Sequence, residues 1–453
     1  MKPDLPLPLP WPLFSDRHAN MPAPARPTRT VTRPDVGPSE QESPNAEPAA
    51  IPRIVPQRSV SKLHRGMQRG MRIGYVMDRF PRGSHDFLLQ EILELESRGI
   101  EVHIFSLGMP DGRIDDIASA LARLRSSIRY FVADVPTSDG ASMRKGTTSR
   151  QAQWIAKLVT TRRIEHLHAH GATVSTDVTR EAARLTAIGY SFTAHAEGLY
   201  DGADVPSLRE RILDAKFTVT LSNFDRGHLL RICGNEVAKK LHRIPMGVNP
   251  KEWQFTPAEC NDSTSVLAVG PLVEKSGFTD LIEAIGMLRD RGRVARLTIV
   301  GEGEFEATLR AQIERFRLTR NVRLIGDVSR SEMNMLMRVH TAMALPWFAD
   351  ERDRDLLANM VLEAMAVGLP VLSTDLPGIR ELIEDGVSGR VISPHDPRWL
   401  AGVLETLFDS PVLREHMAWR ARHKVERRFA ASRNVSHLAQ LFVEAVSRQR
   451  LTT

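Results

Sequence analysis

Side chains that could bind phosphate or hydroxyl groups stand where short apolar runs end. Lys275 lies six residues after the run SVLAV, Glu302 directly follows LTIVG, and His195 follows YSFTA. Glu363 lies within the apolar stretch NMVLEAM. Lysine binds phosphate as a point charge, and a carboxylate accepts hydrogen bonds from hydroxyl groups. These residue types therefore favour a ligand that carries both kinds of group.

Two glycine-containing turns are further candidates. Gly83 and Ser84 lie between the first predicted strand and its helix, where free backbone N–H groups could hold a phosphate or an acceptor. A plain turn in which Ser84 is the helix N-cap explains them equally well. The turn GEGE at 301–304 lacks the third glycine of a dinucleotide fingerprint. We therefore interpret GEGE as mainly structural.

Three histidines alternate in the run HLHAHG, at positions 166, 168 and 170. Alternate residues of a strand share one face, as two metal ligands would. We nevertheless predict no metal site in this run. His170 is retained as a residue that could line an acceptor cleft.

The elements that must position these residues alternate between strand and helix. After the first strand at Met71 and a helix over 84–98, apolar runs predict strands near 128–132, 165–168, 190–194, 217–220 and 241–244. A second series contains helices over 277–290, 304–317 and 358–367, and the chain from about 396 is all helix. This order predicts two parallel, doubly wound α/β domains, with ligands in the cleft at the carboxyl ends of the strands.

Composition divides the chain further. Residues 1–70 hold 14 of the 28 prolines, which predicts a disordered tail that is either inert or a ligand for a proline-binding partner. The predicted segments are the tail over 1–70, an N-terminal Rossmann-like domain over 71–245, a linker over 246–264, a C-terminal Rossmann-like domain over 265–430, and a terminal helix over 431–453 that packs back toward the first domain.

Charge and cysteine content exclude several classes of protein. The net charge of +6 resides mostly in the tail, which has ten basic and six acidic side chains. The nearly balanced remainder argues against a nucleic-acid partner. Two cysteines fit a reducing compartment and exclude a cysteine-rich zinc module.

No apolar run reaches the 18–20 or so residues of a membrane span. We predict a cytoplasmic protein, and the basic stretch 143–163 is either an amphipathic helix at the cytoplasmic membrane face or a solvated helix face.

Several motifs together resemble one enzyme family. NMVLEAMAVGLPVLSTDLPGIRELIEDGVSGRVI, from Asn359 to Ile392, resembles the donor-binding region of the family 4 retaining glycosyltransferases, which have the GT-B fold. The segment from Gly74 to Leu107, HLHAHGA and YSFTAHAEGLY resemble the subgroup that builds exopolysaccharides of the colanic-acid type. The resemblance covers nearly all of 71–449.

The resemblance implies roles for individual residues. Glu363 would bind the ribose hydroxyls of a nucleotide-sugar donor, with Leu362 beside it in the donor site. Lys275 would bind and stabilise the leaving diphosphate, and Glu302 would border the base region. His195 would contact the donor sugar or position the reacting centre. Glu363 alone could also be an acid in the first turn of a helix, where it would only complement the helix dipole.

Three positions depart from the family pattern. Pro271 stands where the family has an arginine, Asp355 replaces a glutamate that contacts the donor sugar, and Leu356 replaces a glycine. Losing the arginine would cost about 1.5–3 kcal/mol of diphosphate binding. All three departures lie on the donor side. They favour, as an alternative, a degenerate protein of this fold that binds a glycan or partner without catalysis.

The resulting hypothesis is a retaining hexosyltransferase that needs neither metal nor cofactor. It would move a sugar from a UDP- or GDP-linked donor to a glycan or lipid-linked acceptor in exopolysaccharide biosynthesis, with possible peripheral contact to the inner membrane. Besides the degenerate binding protein, a nucleotide-sugar epimerase of the same fold is a third hypothesis.

Overall fold

All residues whose structure is described belong to one compact unit, which extends from Ser59 to Thr453. The computed structural model describes residues 70–81, 86–110, 121–131, 140–195, 198–200, 204–257, 264–348 and 354–451. At positions 86, 140–146 and 354–356 only the backbone is described. The predicted tail therefore lies outside the described residues apart from Gly70.

Parallel strands form two separate sheets. The first is seven-stranded, in the order β3-β2-β1-β4-β5-β6-β7, and the second is six-stranded, in the order β10-β9-β8-β11-β12-β13. The strands of the first sheet are β1 Arg72–Arg79, β2 Glu101–Gly108, β3 Ser127–Tyr130, β4 His166–His170, β5 Gly189–Ala194, β6 Thr218–Thr220 and β7 Leu241–Arg243. The strands of the second sheet are β8 Ser265–Val269, β9 Arg296–Val300, β10 Val322–Ile325, β11 Ala342–Leu345, β12 Val371–Thr374 and β13 Arg390–Ile392.

Helices connect the strands and cover the sheets. The helices are α1 Asp86–Ser97, α2 Gly140–Arg162, α3 Val174–Thr186, α4 Val205–Asp214, α5 Asn223–Cys233, α6 Phe278–Asp290, α7 Glu306–Arg315, α8 Arg330–Val339, α9 Arg354–Val367, α10 Ile379–Leu382, α11 Pro397–Asp409, α12 Pro411–Lys424 and α13 Ala431–Arg450. Among the described residues, five helices begin at a residue whose side chain caps the first turn, and at α8 Ser329 and Glu332 form a capping box.

The predicted fold class is confirmed: both sheets are parallel and doubly wound. Central strands such as β5 and β12 are buried along their whole length, as expected for sheets covered on both faces. One boundary differs in a way that matters for the site. The helix predicted over 358–367 begins four residues earlier, at Arg354. The first turn, over 354–357, begins with two polar residues that precede the apolar stretch.

The chain crosses between the two sheets twice, and the crossings lie side by side. The Val248 N–H donates to the Phe429 carbonyl at 2.9 Å, and the Ala431 N–H donates to the Val248 carbonyl at 2.9 Å. A Cβ added at Gly247 would lie 2.6 Å from the Cα of Ala431, so only glycine fits there. After the return crossing, α13 packs into the core of the first sheet with α1, through side chains that include Phe442.

Helix α2 contains the basic stretch that we considered as a membrane-surface helix. Its apolar side chains Ala152, Ile155 and Val159 are buried in the core of the first sheet, while Lys157 is exposed. The apolar face of this helix is therefore occupied, which leaves a solvated basic face. Across the described residues, no helix is both long and apolar enough to cross a membrane.

Candidate active site

The loops at the carboxyl ends of β8, β9, β10 and β11 pack closely together; we call this region the second-sheet edge. A Cβ added at Gly301 would lie 1.9 Å from the carbonyl oxygen of Gly270. A Cβ at Gly270 would lie 2.4 Å from the Trp347 ring. Both glycines have positive φ angles, +143° and +152°. Glycine is thus required both for backbone conformation and for space.

Lys275 lies on a short 3-10 turn at this edge, Glu274–Ser276, and its side chain is half-buried. The Phe348 N–H donates to the Lys275 carbonyl at 2.8 Å, which ties the turn to the loop after β11. The next glycine, Gly277, has φ +66°, and a Cβ there would lie 2.1 Å from the Pro346 carbonyl oxygen. The backbone that carries the lysine is therefore held by its neighbours.

Two further positions lie beside Lys275. Pro271 is half-buried, and its carbonyl accepts a 2.6 Å hydrogen bond from the Ser276 hydroxyl. Glu302 is exposed, and a Cβ added at Gly326 would lie 3.1 Å from its Oε1 atom. The carboxylate of Glu302 thus lies over the end of the neighbouring strand β10, at the edge where we predicted the base region.

Glu363 is buried in the third turn of α9, far from the helix N-terminus. The interpretation of this residue as a first-turn acid is therefore wrong, because the helix begins at Arg354 and the macrodipole acts within the first turn. Its Oε1 lies 4.0 Å from Nη2 of Arg330. The same Arg330 nitrogen lies 3.3 Å from Oε2 of Glu252, and the guanidinium lies over the Trp253 ring at 5.3 Å.

The other two donor-side candidates lie on the same helix. Leu362 is fully buried and packs in the apolar core of the second sheet, where it also lines a cavity between the sheets. Asp355 lies in the first turn of α9, and its side chain is outside the described residues. The roles assigned to both stay predictions.

A second group of candidates lies at the carboxyl ends of β1, β4 and β5; we call this region the first-sheet edge. His170 is the last residue of β4 and His195 directly follows β5, with ring centroids 5.6 Å apart. Gly171 has φ +104°, and a Cβ there would lie 3.7 Å from Nε2 of His195. Asp78 near the end of β1 accepts a 3.0 Å hydrogen bond from the Ser175 N–H, so this edge is fixed by the start of α3.

In the structure, a carboxylate lies beside the histidine run HLHAHG. Glu91 of α1 has its Oε1 3.6 Å from Nε2 of His170, and the Tyr75 hydroxyl donates to the same oxygen at 2.8 Å. A potential metal-ligand atom is offered by each of Glu91, His168 and His170, and these three atoms lie within 4.8 Å of one another. However, His168 already meets Ser191 at 2.8 Å and Thr193 at 3.0 Å through its two ring nitrogens. This geometry fits a hydrogen-bonded network better than a metal site.

The network extends along β4. The Ser191 hydroxyl lies 2.8 Å from Nε2 of His166 and 2.8 Å from Nδ1 of His168. Burial, together with the positive charge of Lys216, lowers the pKa of His166 to about 3. Burial and the neighbouring histidines also lower the pKa of His168. Both imidazoles are therefore neutral at neutral pH, each with one donor and one acceptor nitrogen.

The His166→Gln variant should change the pH dependence of stability. The folded protein takes up a proton at His166 only near pH 3, whereas an unfolded histidine does so near pH 6.5. The neutral site thus contributes stability above pH 6.5 that is lost as the pH falls toward 3. Between pH 7.5 and 5.5 the parent should therefore lose about 1.4 kcal/mol more stability than the variant, which lacks the His166 contribution. Urea unfolding at both pH values measures it.

The exposed His416→Gln is the matched control, since it removes a histidine outside the core. Equal losses of stability in the parent and in His166→Gln would contradict a neutral buried imidazole.

The candidates thus fall into two groups, Lys275, Glu302 and Glu363 around the second sheet and His170 and His195 at the first-sheet edge. Gly83 and Ser84 lie outside the described residues. Sequence reasoning missed Glu91 and Arg330. The alternation of hydroxyls in YSFTA could have indicated partners for the histidines of the neighbouring strand.

Comparison with known proteins finds relatives of this chain in sequence and in fold. Residues 250–424 match the family model described as "Glycosyl transferases group 1". The chain is 26% identical over 403 residues to the "Putative colanic acid biosynthesis glycosyltransferase WcaL" of Escherichia coli (strain K12), covering 79% of this chain and 96% of the relative. It is 32% identical over 194 residues to the "Amylovoran biosynthesis glycosyltransferase AmsK" of Erwinia amylovora, covering 42% of this chain and 48% of the relative.

A solved structure of Anabaena Alr3699/HepE in complex with UDP and glucose superposes with a TM-score of 0.65 at 17% identity, covering 83% of this chain and 100% of that one. At this identity the likeness establishes the fold, which is GT-B. Together with the sequence matches, it shows that the chain resembles the group 1 glycosyltransferases, whose family model matches residues 250–424.

Proposed function

We propose that the protein is a retaining glycosyltransferase of exopolysaccharide biosynthesis. It transfers a sugar from a UDP- or GDP-linked donor to a glycan or lipid-linked acceptor. The observation that carries the donor assignment is the buried carboxylate of Glu363, held beside Arg330 around the same sheet as Lys275. The names of the colanic acid and amylovoran relatives support the pathway, and the UDP and glucose in the HepE structure support the donor class.

In the proposed reaction, the bond between the anomeric carbon and the donor diphosphate breaks while the acceptor oxygen bonds to the same face of the sugar. The acceptor proton passes to the leaving diphosphate. Lys275 stabilises the negative charge that develops on that diphosphate. Glu363 accepts hydrogen bonds from the ribose, and His195 lies at the reacting centre. Inversion at the anomeric carbon, seen by NMR of the product, would reject the retaining mechanism.

The first experiment is a thermal-shift titration of the full chain with UDP, GDP, ADP and their sugar conjugates. A ligand at about 100 times its Kd stabilises the native state by roughly 2.7 kcal/mol. We expect a shift with UDP or GDP and their conjugates and not with ADP. The sugar conjugate that gives the largest shift then identifies the donor for product analysis.

Pro271 favours a second candidate function, the non-catalytic binding protein. Its ring nitrogen has no N–H to offer a phosphate, and its carbonyl is engaged by Ser276. A folded sample that responds to no nucleotide, and still to none after Pro271→Arg, would favour this candidate. A thermal shift of the parent chain with a nucleotide would rule this candidate out, because a protein without a donor site would not bind the nucleotide.

A further inference from the structure

One carboxylate from the second sheet reaches elements of the first. Glu381 lies on the short helix α10, after β12. Its Oε1 accepts hydrogen bonds from the backbone N–H groups of Asn223 at 2.8 Å and Phe224 at 3.2 Å. Its Oε2 accepts from Nε of Arg243 at 3.0 Å and from the Asn223 side chain at 3.2 Å. We call these four residues the inter-sheet clamp.

The first-sheet partners of Glu381 have a specific need for an acceptor. Asn223 and Phe224 begin α5, and the first N–H groups of a helix have no partner within it. The N-cap Ser222 accepts from the Asp225 N–H at 2.9 Å, which leaves the two earlier N–H groups to Glu381. A carboxylate at this position also complements the helix dipole, and its bond to arginine is charge-assisted. The helix is thus capped from the other sheet.

The clamp adjoins the wall of the donor site. A cavity of about 60 Å³ lies between the sheets, lined by Arg243 and Glu381 and also by Leu362 of α9. Leu362 directly precedes Glu363, the proposed ribose ligand. The clamp and the helix that carries the proposed donor carboxylate therefore border the same cavity.

Other contacts keep the two sheets connected when the clamp is broken. Glu252, on the chain between the sheets, accepts from Gln90 at 2.9 Å, and its carboxylate lies 3.3 Å from Arg123 and 3.3 Å from Arg330. The paired crossings at Val248 and Phe429 are independent of both carboxylates. Loss of Glu381 should thus alter how tightly the sheets close rather than separate them.

We propose that Glu381 is a positioning residue whose clamp holds the two sheets closed for sugar transfer. The clamp itself stands on the contacts above, and its effect on transfer rests on the proposed function. A closed cleft excludes water, so the donor reacts with the acceptor rather than being hydrolysed.

The test compares the full-length parent with Glu381→Ala and Glu381→Gln. The matched control is Arg380→Gln, which breaks the exposed Arg380–Asp375 pair on the same segment. Small-angle X-ray scattering should give a larger radius of gyration for Glu381→Ala, an intermediate one for Glu381→Gln, and an unchanged one for Arg380→Gln. With the donor found by titration, we expect affinity within about twofold of the parent, transfer at least roughly tenfold slower, and a larger share of donor hydrolysed.

Unchanged scattering in Glu381→Ala, at unchanged secondary structure, would overturn the clamp. So would a transfer-to-hydrolysis ratio equal to that of the parent. The two proposals fail separately. If the parent shows no thermal shift with any nucleotide but the scattering of Glu381→Ala changes, the clamp stands and the donor assignment fails. If the parent responds to a nucleotide but the scattering of Glu381→Ala is unchanged, the donor assignment stands and the clamp fails. Arg243→Gln should have little further effect in Glu381→Ala, because the alanine has already removed the contact with Arg243.

Discussion

Replacing Lys275 with methionine should lower kcat by about 10²–10³-fold, the range for removing one donor to a developing oxyanion. The lysine lies on a turn whose backbone is fixed by Phe348 and Gly277, so the backbone that carries its side chain is held at the second-sheet edge. Methionine retains most of the apolar stem and removes only the charge. Initial rates of sugar transfer under saturating donor measure the effect.

Two further variants make this result specific. Lys275→Arg keeps the charge and should recover part of the rate. Lys251→Met removes an exposed lysine from the segment between the sheets and should behave as the parent. A Lys275→Met enzyme within about threefold of the parent would remove Lys275 from the transfer step.

Replacing Glu363 with glutamine should weaken nucleotide binding about 10- to 150-fold, which corresponds to the 1.5–3 kcal/mol of a hydrogen bond to a charged group. Folding stability should change little, because Arg330 keeps its contact with Glu252 at 3.3 Å. Calorimetric titration with the nucleoside diphosphate found by thermal shift measures the change. The control is Glu304→Gln, an exposed acid near the second-sheet edge.

A ligand variant tests the ribose contact directly. The 2′,3′-dideoxy form of the nucleotide should bind the parent as weakly as the normal nucleotide binds Glu363→Gln. It should lose no further affinity with that variant, since the two changes remove the same interaction. Additive losses would mean that Glu363 does not contact the ribose hydroxyls.

Local patterns predicted the framework of this protein better than its contacts. The alternation of apolar runs with helical segments predicts the two parallel α/β sheets, because hydrophobic runs and glycines are local signals. Glu91 was missed although it is the carboxylate nearest His170. It comes from α1, about 80 residues before that histidine, and only the parallel pairing of β1 with β4 brings the two elements together.

The donor-side helix illustrates the same limit. Its predicted start lies near 358, whereas the helix begins at Arg354, because Arg354 and Asp355 carry no apolar signal. The earlier start places Glu363 in the third turn and removes the alternative of a first-turn acid, while its role as a ribose ligand stays a prediction. Arg330 and Glu381 had no local signal, because their partners lie on other elements.

The paired crossings have a consequence for how this protein is made. The first sheet needs α13, whose Phe442 and neighbouring side chains fill its core, yet the whole second sheet lies between β7 and α13 in the sequence. At the usual 5–20 residues per second, roughly 10 to 40 s separate the end of β7 from α13. During that interval the second half can complete its core first, reversing the usual N-to-C order of folding. A fragment that ends in the segment between the sheets would lack α13 and thus part of the core of the first sheet. Gene fusions that exchange the first sheet must therefore exchange α13 together with it.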